Sequence, residues 1–182
     1  MLRDLIIKNR SYRRFHQDAK IEMQTLRELV DLARMSASGA NFQPLKYILS
    51  CDAKKNAIIA PLIGLGGNPP PEERPTAYVV ILCDKTIREA PSCDHGIAAQ
   101  SILLGAAEKG LGGCMVGNIK RDELRQALAI PAHLDVLLAL AIGKPKETAV
   151  IEPIGKDGVK GYWDDNKVRH VPKRSLDEII IR

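Results

Sequence analysis

The chain is poor in aromatic residues and contains no long hydrophobic run. Phe, Trp and Tyr make up 4% of its 182 residues, and the net charge is only +5. Nucleic-acid-binding proteins usually combine a concentrated basic face with stacking aromatic side chains. Here the basic residues alternate with acidic ones, as in Arg121-Asp122-Glu123. The composition therefore argues against nucleic-acid binding.

Membrane insertion and secretion also lack support. No apolar run approaches the ~20 residues that a helix needs to cross a bilayer. The first residues, Met1 to Lys8, lack the long apolar stretch and the small-residue cleavage site of a signal peptide. We therefore expect a cytoplasmic protein without a membrane partner.

Metal sites and hydrolytic sites find little support in the sequence. The four cysteines form no Cys-x-x-Cys pair and match no common zinc spacing, so no metal site is predicted. The run Ser92-Cys93-Asp94-His95 contains residue types of a hydrolytic triad, but sequence neighbours seldom adopt triad geometry. The other three histidines look like ordinary polar residues. No catalytic side chain is predicted.

Two glycine-rich segments resemble fragments of a dinucleotide-binding motif. They are residues 64–67 and residues 110–113. The first does not follow a clear strand and open a helix, and the second leads from a helix into a strand. Both contexts exclude a Rossmann or P-loop site.

Hydrophobic periodicity predicts helices and strands in an order that is not a regular βαβ alternation. Helices are predicted over 2–9, 22–35, 52–63, 94–109 and 120–129, and strands over 46–51, 78–83, 112–116 and 134–142. The strand at 78–83 is almost continuously apolar and should be central in its sheet. Residues 144–172 are polar and predicted to form a long loop or arm. The length suits one domain, residues 1–182, of the α+β class with a mixed sheet.

Two short basic clusters lie near opposite ends of the chain, each beside a hydroxyl. They are Arg10-Ser11-Tyr12-Arg13 and Val171-Pro172-Lys173-Arg174-Ser175. Cationic side chains and a hydroxyl suit a phosphate monoester. If folding brings the ends together, the clusters form one phosphate site. The alternative is that both are solvated basic faces.

A series of motifs spanning nearly the whole chain resembles the nitroreductase family of FMN-dependent oxidoreductases. The matching segments, in order, are residues 10–15, 37–44, 94–113, 112–117, 142–145 and 173–178. The resemblance implies a mixed, mostly antiparallel central sheet flanked by helices, with an extended C-terminal arm. It also implies a homodimer with two FMN sites at the subunit interface, each built from both subunits.

The resemblance assigns a role in FMN binding to eleven residues. The ribityl phosphate would be held by Arg10, Ser11, Lys173 and Arg174. Arg13 would reach the pyrimidine edge of the flavin. The polar atoms of the ribityl chain or ring would be contacted by Ser38, Asn41 and Gln43 of the other subunit. One face of the ring would be lined by Met115, Val116 and Gly117.

The implied activity is a ping-pong cycle. NAD(P)H gives a hydride to flavin N5 and leaves, and an electron-poor acceptor such as a nitroaromatic or a quinone is then reduced. Leu45 and Met115 replace residues that are often aromatic in the family, and segment 64–75 is short, so the substrate is the least defined part. Three alternatives stay open: a specialised enzyme for reductive dehalogenation or flavin cleavage, a flavin-binding protein without turnover, and a dimer without cofactor.

Overall fold

The computed structural model describes residues 1–156 and 158–181, in two compact units, Met1–Pro145 and Lys146–Arg182. The helices of the first unit are α1 (Leu2–Lys8), α2 (Met23–Arg34), α3 (Ala53–Ile59), α4 (Asp94–Glu108) and α5 (Arg121–Ala127). Its strands are β1 (Phe15–His16), β2 (Leu45–Ser50), β3 (Ala77–Asp84), β4 (Gly112–Val116) and β5 (Leu134–Pro145). Short 3-10 turns lie at Gly39–Asn41, Ala60–Leu62 and Pro71–Glu73.

The five strands of the first unit form one antiparallel sheet. β5 pairs with β3 on one side and with both β1 and β4 on the other, and β2 forms the far edge beside β3. Every residue of β3 is buried, which confirms the central position predicted from its apolar run. The sheet and its helices confirm the α+β class.

Helices cover both faces of this sheet, and alternate residues of β3 feed two separate cores. Val79 and Ile81 pack with apolar residues of α2 and α4. Tyr78, Val80 and Leu82 pack in a second core that includes residues of α3 and α5. The period-2 alternation of a strand explains why neighbouring residues serve opposite layers.

The long helix α4 packs closely against α2 because it carries small residues. A Cβ at Gly105 would lie 2.3 Å from Leu32 Cδ1 and 3.1 Å from Leu29 Cδ2. In the described residues, 1–156 and 158–181, no helix combines the length and the hydropathy needed to cross a bilayer.

The second unit contains a small sheet where the sequence predicted a loop or arm. Its elements are β6 (Thr148–Pro153), β7 (Tyr162–Trp163), β8 (Val168–Lys173) and α6 (Leu176–Ile179). β8 lies between β6, to which it is parallel, and β7, to which it is antiparallel. The loop prediction for 144–172 was wrong because these strands are short, lack a regular alternation of apolar and polar residues, and gain their partners from within the segment. That residues 1–182 act as one FMN-binding domain stays a prediction.

Two helix ends also differ from the sequence prediction. Asp52 caps α3 as expected, accepting a hydrogen bond from Lys55 N. The helix ends at Ile59, and a 3-10 turn containing Pro61 follows, since proline has no N–H to continue the ladder. α5 spans Arg121–Ala127 within the predicted 120–129.

Candidate functional site

The first basic cluster lies beside strand β4. Ser11 forms a parallel bridge with Gly113, and the Tyr12 amide donates to the Gly113 carbonyl at 3.0 Å. Gly113 allows this close packing because a Cβ there would lie 2.6 Å from Ala141 O and 2.7 Å from Leu103 Cδ2. The cluster is therefore held at a fixed distance from β4 by backbone contacts.

Arg10 of the first basic cluster is half-buried. Its Nη2 donates to the Ile6 carbonyl, while Nε is buried and lacks a hydrogen-bond partner within the described part of the chain. Burial lowers the pKa of the guanidinium, and Tyr12 opposes this shift. A buried donor on a desolvated cation is the chemistry expected at an anion site.

Arg13, the last residue of the first basic cluster, lies beside a glycine loop. Its Nη1 donates to the Ser11 carbonyl at 3.1 Å. A Cβ at Gly66 would lie 3.4 Å from Arg13 Nε, and both Gly66 and Gly67 have positive φ, +74° and +69°. The same loop is tied to the segment after β4 by a 2.7 Å hydrogen bond from Gly64 N to Asn118 O.

The sequence did not indicate that the loop of residues 64–67 lies beside Arg13. The glycines match no dinucleotide-binding motif, which is the role that their spacing first suggests. The available signal was the consecutive pair Gly66-Gly67, since adjacent glycines often adopt backbone conformations that other residues avoid.

The Met115 side chain in β4 and the Gly117 backbone just after β4 are accessible to a ligand. Met115 is 38% exposed, whereas Val116 is 4% exposed and packs in the second core. A Cβ at Gly117 would meet no atom within 4 Å. Met115 and Gly117 are thus available to a flat ligand, while Val116 has only its backbone to offer.

The segment Ser38–Gln43 is a strained loop anchored to the first residue of α4. Ser38 Oγ donates to Asp94 Oδ2 at 2.6 Å and the Gly39 amide donates to Asp94 Oδ1 at 3.0 Å. Ala40, Asn41 and Gln43 all have positive φ, between 49° and 57°. Non-glycine residues adopt such angles at a cost, and they concentrate at functional sites.

The resemblance gave Ser38, Asn41 and Gln43 one common role, contact with polar atoms of the flavin. In the structure these side chains differ in exposure and in hydrogen bonding. The Ser38 hydroxyl is occupied, because it also accepts from the Gln43 amide at 2.9 Å. Asn41 and Gln43 are exposed. Arg88 makes two contacts that stabilise the loop. It donates to the Gly39 carbonyl at 3.3 Å, and its guanidinium carbon lies 5.0 Å from the Phe42 ring centre.

Asp94 and Arg88 are supporting residues that sequence reasoning did not find. In the sequence Asp94 stands out only as part of the triad-type run 92–95, and an acid in a first helical turn is common because the helix dipole favours it. Its burial, 2% exposed, depends on a contact between segments 55 residues apart, which no local pattern signals.

The loop and the first basic cluster lie at opposite edges of the same sheet. The cluster bridges Gly113, which pairs with Ile142, whereas the loop leads into Leu45, which aligns through Cys83 with Asp135. Seven residues of β5 and three strand spacings separate these positions, roughly 24 Å along the strands and about 14 Å across them. One small ligand cannot contact both segments of a single chain.

Lys173 and Arg174 lie in the second unit, at the end of β8. Lys173 is exposed. Arg174 Nη1 pairs with Glu178 Oε1 at 3.2 Å, and Ser175 caps α6. That Lys173 and Arg174 of the second basic cluster hold one phosphate together with Arg10 stays a prediction.

His170, interpreted from the sequence as an ordinary polar residue, is the centre of a charged cluster in the small sheet. Its Nδ1 lies 2.7 Å from Glu152 Oε2, and its Nε2 lies 3.4 Å from Asp164 Oδ2. The Tyr162 ring stacks on the imidazole with centroids 4.7 Å apart. The hydrogen bond to Glu152, with Asp164 adding to it, raises the pKa of His170.

We expect the small sheet to be most stable at mildly acid pH, about 5 to 6. The pKa of His170 is raised, so its stabilising charge is lost as the pH rises through that value. The pKa of Glu152 is lowered, first by the bond to His170, and the pKa of Asp164 is lowered, first by the Val168 amide. Their contributions are lost as the pH falls. Amide-exchange protection factors for residues 168–171 should be lower at pH 8 than at pH 5.5.

The variant His170→Gln should abolish this pH dependence. His16→Gln is the matched control, because His16 faces Asp18 at 4.0 Å in the first unit and not in the small sheet. Equal protection at both pH values in the wild-type protein would contradict the assignment.

Comparison with known proteins assigns this α+β fold to a family. The sequence profile of the nitroreductase family matches residues 6–73 and 66–144. The chain belongs to the nitroreductase family. This confirms the resemblance deduced from the motif order.

Three relatives illustrate the likeness. A protein of Methanothermobacter thermautotrophicus, provisionally named an NADH dehydrogenase/NAD(P)H nitroreductase, is 25% identical over 174 residues, covering 92% of this chain and 85% of its own. A nitroreductase family protein of Streptococcus pneumoniae superposes with a TM-score of 0.75 at 14% identity over 100% of both chains. A provisionally named nitroreductase of Exiguobacterium sibiricum, solved in complex with FMN, has a TM-score of 0.70 at 15% identity, covering 81% of this chain and 89% of its own.

Proposed function

We propose that this protein is an FMN-dependent oxidoreductase that takes electrons from NAD(P)H and passes them to an electron-poor small molecule, a nitroaromatic or a quinone. It works as a homodimer with FMN at the subunit interface. The observation that carries the proposal is the position of two segments, residues 38–43 and residues 10–13. They lie at opposite edges of the sheet. A second copy of the chain is needed to bring Ser38–Gln43 of one subunit to Arg10–Arg13 of the other.

The residues present fit FMN. The buried Nε of Arg10 lacks an acceptor within the described residues, and a phosphate oxygen would supply one. The open space at Gly117 and the exposed Met115 leave room for a flat ring. The left-handed loop presents Asn41 and Gln43, whose amide groups can both donate and accept hydrogen bonds.

Each cluster then has a defined task. Arg10 and Ser11, with Lys173 and Arg174 of the second unit, hold the phosphate. Arg13 places a fixed cation at the pyrimidine edge, where negative charge develops on reduction. When bound, FMN supplies the redox chemistry by accepting a hydride from NAD(P)H and returning two electrons to the acceptor.

No side-chain acid or base is assigned. Reduction of a quinone to a hydroquinone consumes two electrons and two protons, and solvent at the open face delivers the proton that NAD(P)H does not. The protein binds and orients both substrates in turn. The relative provisionally named an NAD(P)H nitroreductase and the FMN complex of another support this assignment. The expected cytoplasmic location stays a prediction.

The function is tested by the visible spectrum of the purified protein under anaerobic conditions. A bound oxidised flavin should bleach on addition of NADH or NADPH and recover its colour on addition of a quinone. Bound flavin that does not bleach would favour a binding protein without turnover. Bleaching without recovery by any quinone or nitroaromatic would favour a specialised enzyme of the same fold.

A pair of glycine variants on and after β4 should separate folding from cofactor binding. Gly117→Ala should leave the stability of the apoprotein unchanged, because the new methyl group meets open space. It should weaken FMN binding, since the methyl group occupies the face proposed for the ring. Fluorescence titration with FMN and urea unfolding of the apoprotein measure the two effects.

Gly113→Ala is the matched control. Its Cβ would lie 2.6 Å from the Ala141 carbonyl oxygen, so we expect a loss of stability of about 1–3 kcal/mol from overpacking. If Gly117→Ala binds FMN with wild-type affinity, the ring does not lie over residue 117.

A further inference from the structure

A groove with two ends lies beside α3, and none of the residues proposed to bind FMN lines it. Its two cavities have volumes of about 440 Å³ and 490 Å³. They are joined by the residues that line both, Ala60, Pro71, Arg74, Pro75 and Tyr78. Volumes of this size are typical of small-molecule sites, which range over roughly 300–1,000 Å³.

Tyr78 forms the floor of the groove where the two cavities meet. The residue is 1% exposed, and no hydrogen bond of its hydroxyl is found among the described residues. Burial raises the pKa of Tyr78 to about 12, with Arg74 opposing the shift. The hydroxyl is therefore protonated at neutral pH and available as a donor.

Cationic groups dominate the polar end of the groove. Lys20 and Arg74 both line it, and within the described residues neither side chain forms an ion pair. The acidic residue there, Asp52, accepts a hydrogen bond from Lys55 N and still contributes one negative charge. Asn56 is also occupied, because it accepts from Ser50 and donates to the Thr76 carbonyl. Two cations therefore line this end against one carboxylate, and the resulting net charge of +1, together with the Tyr78 hydroxyl as a donor, favours an anion.

The other end of the groove is apolar. It is lined by Ile63, Leu65, Pro69 and Pro70. Proline and aliphatic faces pack well against a flat hydrocarbon ring. The groove therefore offers an anion site at one end and a ring site at the other.

We propose that this groove binds a small aromatic carboxylate, with the carboxylate between Tyr78 and Arg74 and the ring against the proline-lined end. This site shares no residue with the proposed FMN site, and its existence does not depend on the proposed function. It does border that site, because loop 64–67, whose first residue lines the groove, contacts Arg13 through Gly66.

Benzoate is the probe for this proposal, added to the full-length protein and followed by amide NMR. We expect saturable shifts at Tyr78, Arg74 and residues 64–68, with a Kd on the order of 1 mM. Saturating FMN should leave this binding unchanged. Benzamide, which has the same ring without the charge, should bind roughly tenfold more weakly or not at all.

Two variants locate the contacts. Tyr78→Phe removes only the hydroxyl and should retain the fold, because no described hydrogen bond is lost. It and Arg74→Gln should each weaken benzoate binding roughly tenfold. Arg74 is exposed, so Arg74→Gln keeps the test valid if Tyr78→Phe fails to fold. Absence of saturable shifts, wild-type affinity in Arg74→Gln, or displacement of benzoate by FMN would overturn the proposal.

Discussion

The Arg10→Ala variant is expected to bind FMN roughly ten- to a hundredfold more weakly than the wild-type protein. A charge-assisted hydrogen bond to a phosphate is worth about 1.5–3 kcal/mol, and 1.4 kcal/mol corresponds to about tenfold in affinity. The fold should survive, because the hydrogen bond that Arg10 makes to the Ile6 carbonyl lies at the end of a short helix. Fluorescence titration of the apoprotein with FMN measures the effect.

A double-mutant cycle tests whether both chain ends hold one phosphate. Combining Arg10→Ala with Lys173→Ala should release FMN during purification while leaving the fold intact. If both side chains contact one phosphate, the effects of the two changes should not add. Arg3→Ala is the control, since Arg3 is an exposed cation on α1 and carries the same charge. Unchanged flavin occupancy in the double variant would refute the shared phosphate site.

The Asp94→Ala variant is expected to lose both stability and FMN affinity. Asp94 accepts from Ser38 Oγ and from the Gly39 amide, and its removal leaves both donors unpaired. Hydrogen bonds to a charged group contribute about 1.5–3 kcal/mol each, so we expect a destabilisation of about 3 kcal/mol. The left-handed conformation of Ala40, Asn41 and Gln43 should relax without this anchor. Urea unfolding and FMN titration measure the two losses.

Asp122→Ala is the control for Asp94→Ala. It removes an acid from the first turn of a helix without removing an anchor of the 38–43 loop. Asp122 also lies in the first turn of a helix, α5, but it is exposed. We expect a change within about 0.5 kcal/mol for this surface substitution and no change in FMN affinity. Asp94→Ala with weakened stability and wild-type FMN affinity would show that the anchored loop is not part of the cofactor site.

The parts of the fold that follow from local periodicity were predictable from the sequence. The apolar run of β3 predicted a central strand, and the small, apolar residues of α4 predicted a buried helix. The small sheet of the second unit was not predictable in this way. Its pairing of β6 with β8 joins short segments that are 20 residues apart, and neither segment shows the regular alternation of apolar and polar residues that predicts a strand.

For the candidate site the sequence supplied only a list of residues, whose role in FMN binding stays a prediction. Motif order named Arg10, Ser11 and Arg13, but nothing in the spacing indicated that Gly66 would lie against Arg13 or that Asp94 would hold Ser38. Those contacts depend on how α4 packs on the sheet and on where β4 lies within it. The distance between Ser38–Gln43 and Arg10–Arg13 within one chain also depends on strand register, which the sequence does not reveal.

Complementation between two defective chains tests most directly that the cofactor site is shared between subunits. One chain carries Arg10→Ala with Arg13→Ala, the other carries Asn41→Ala with Gln43→Ala, and two affinity tags isolate the mixed dimer. Each defective homodimer should bind FMN weakly. The mixed dimer should bind FMN with wild-type affinity at one of its two sites, because that site combines the intact halves. Weak binding throughout the mixed dimer, or a chain that stays monomeric with full FMN affinity, would contradict the shared site.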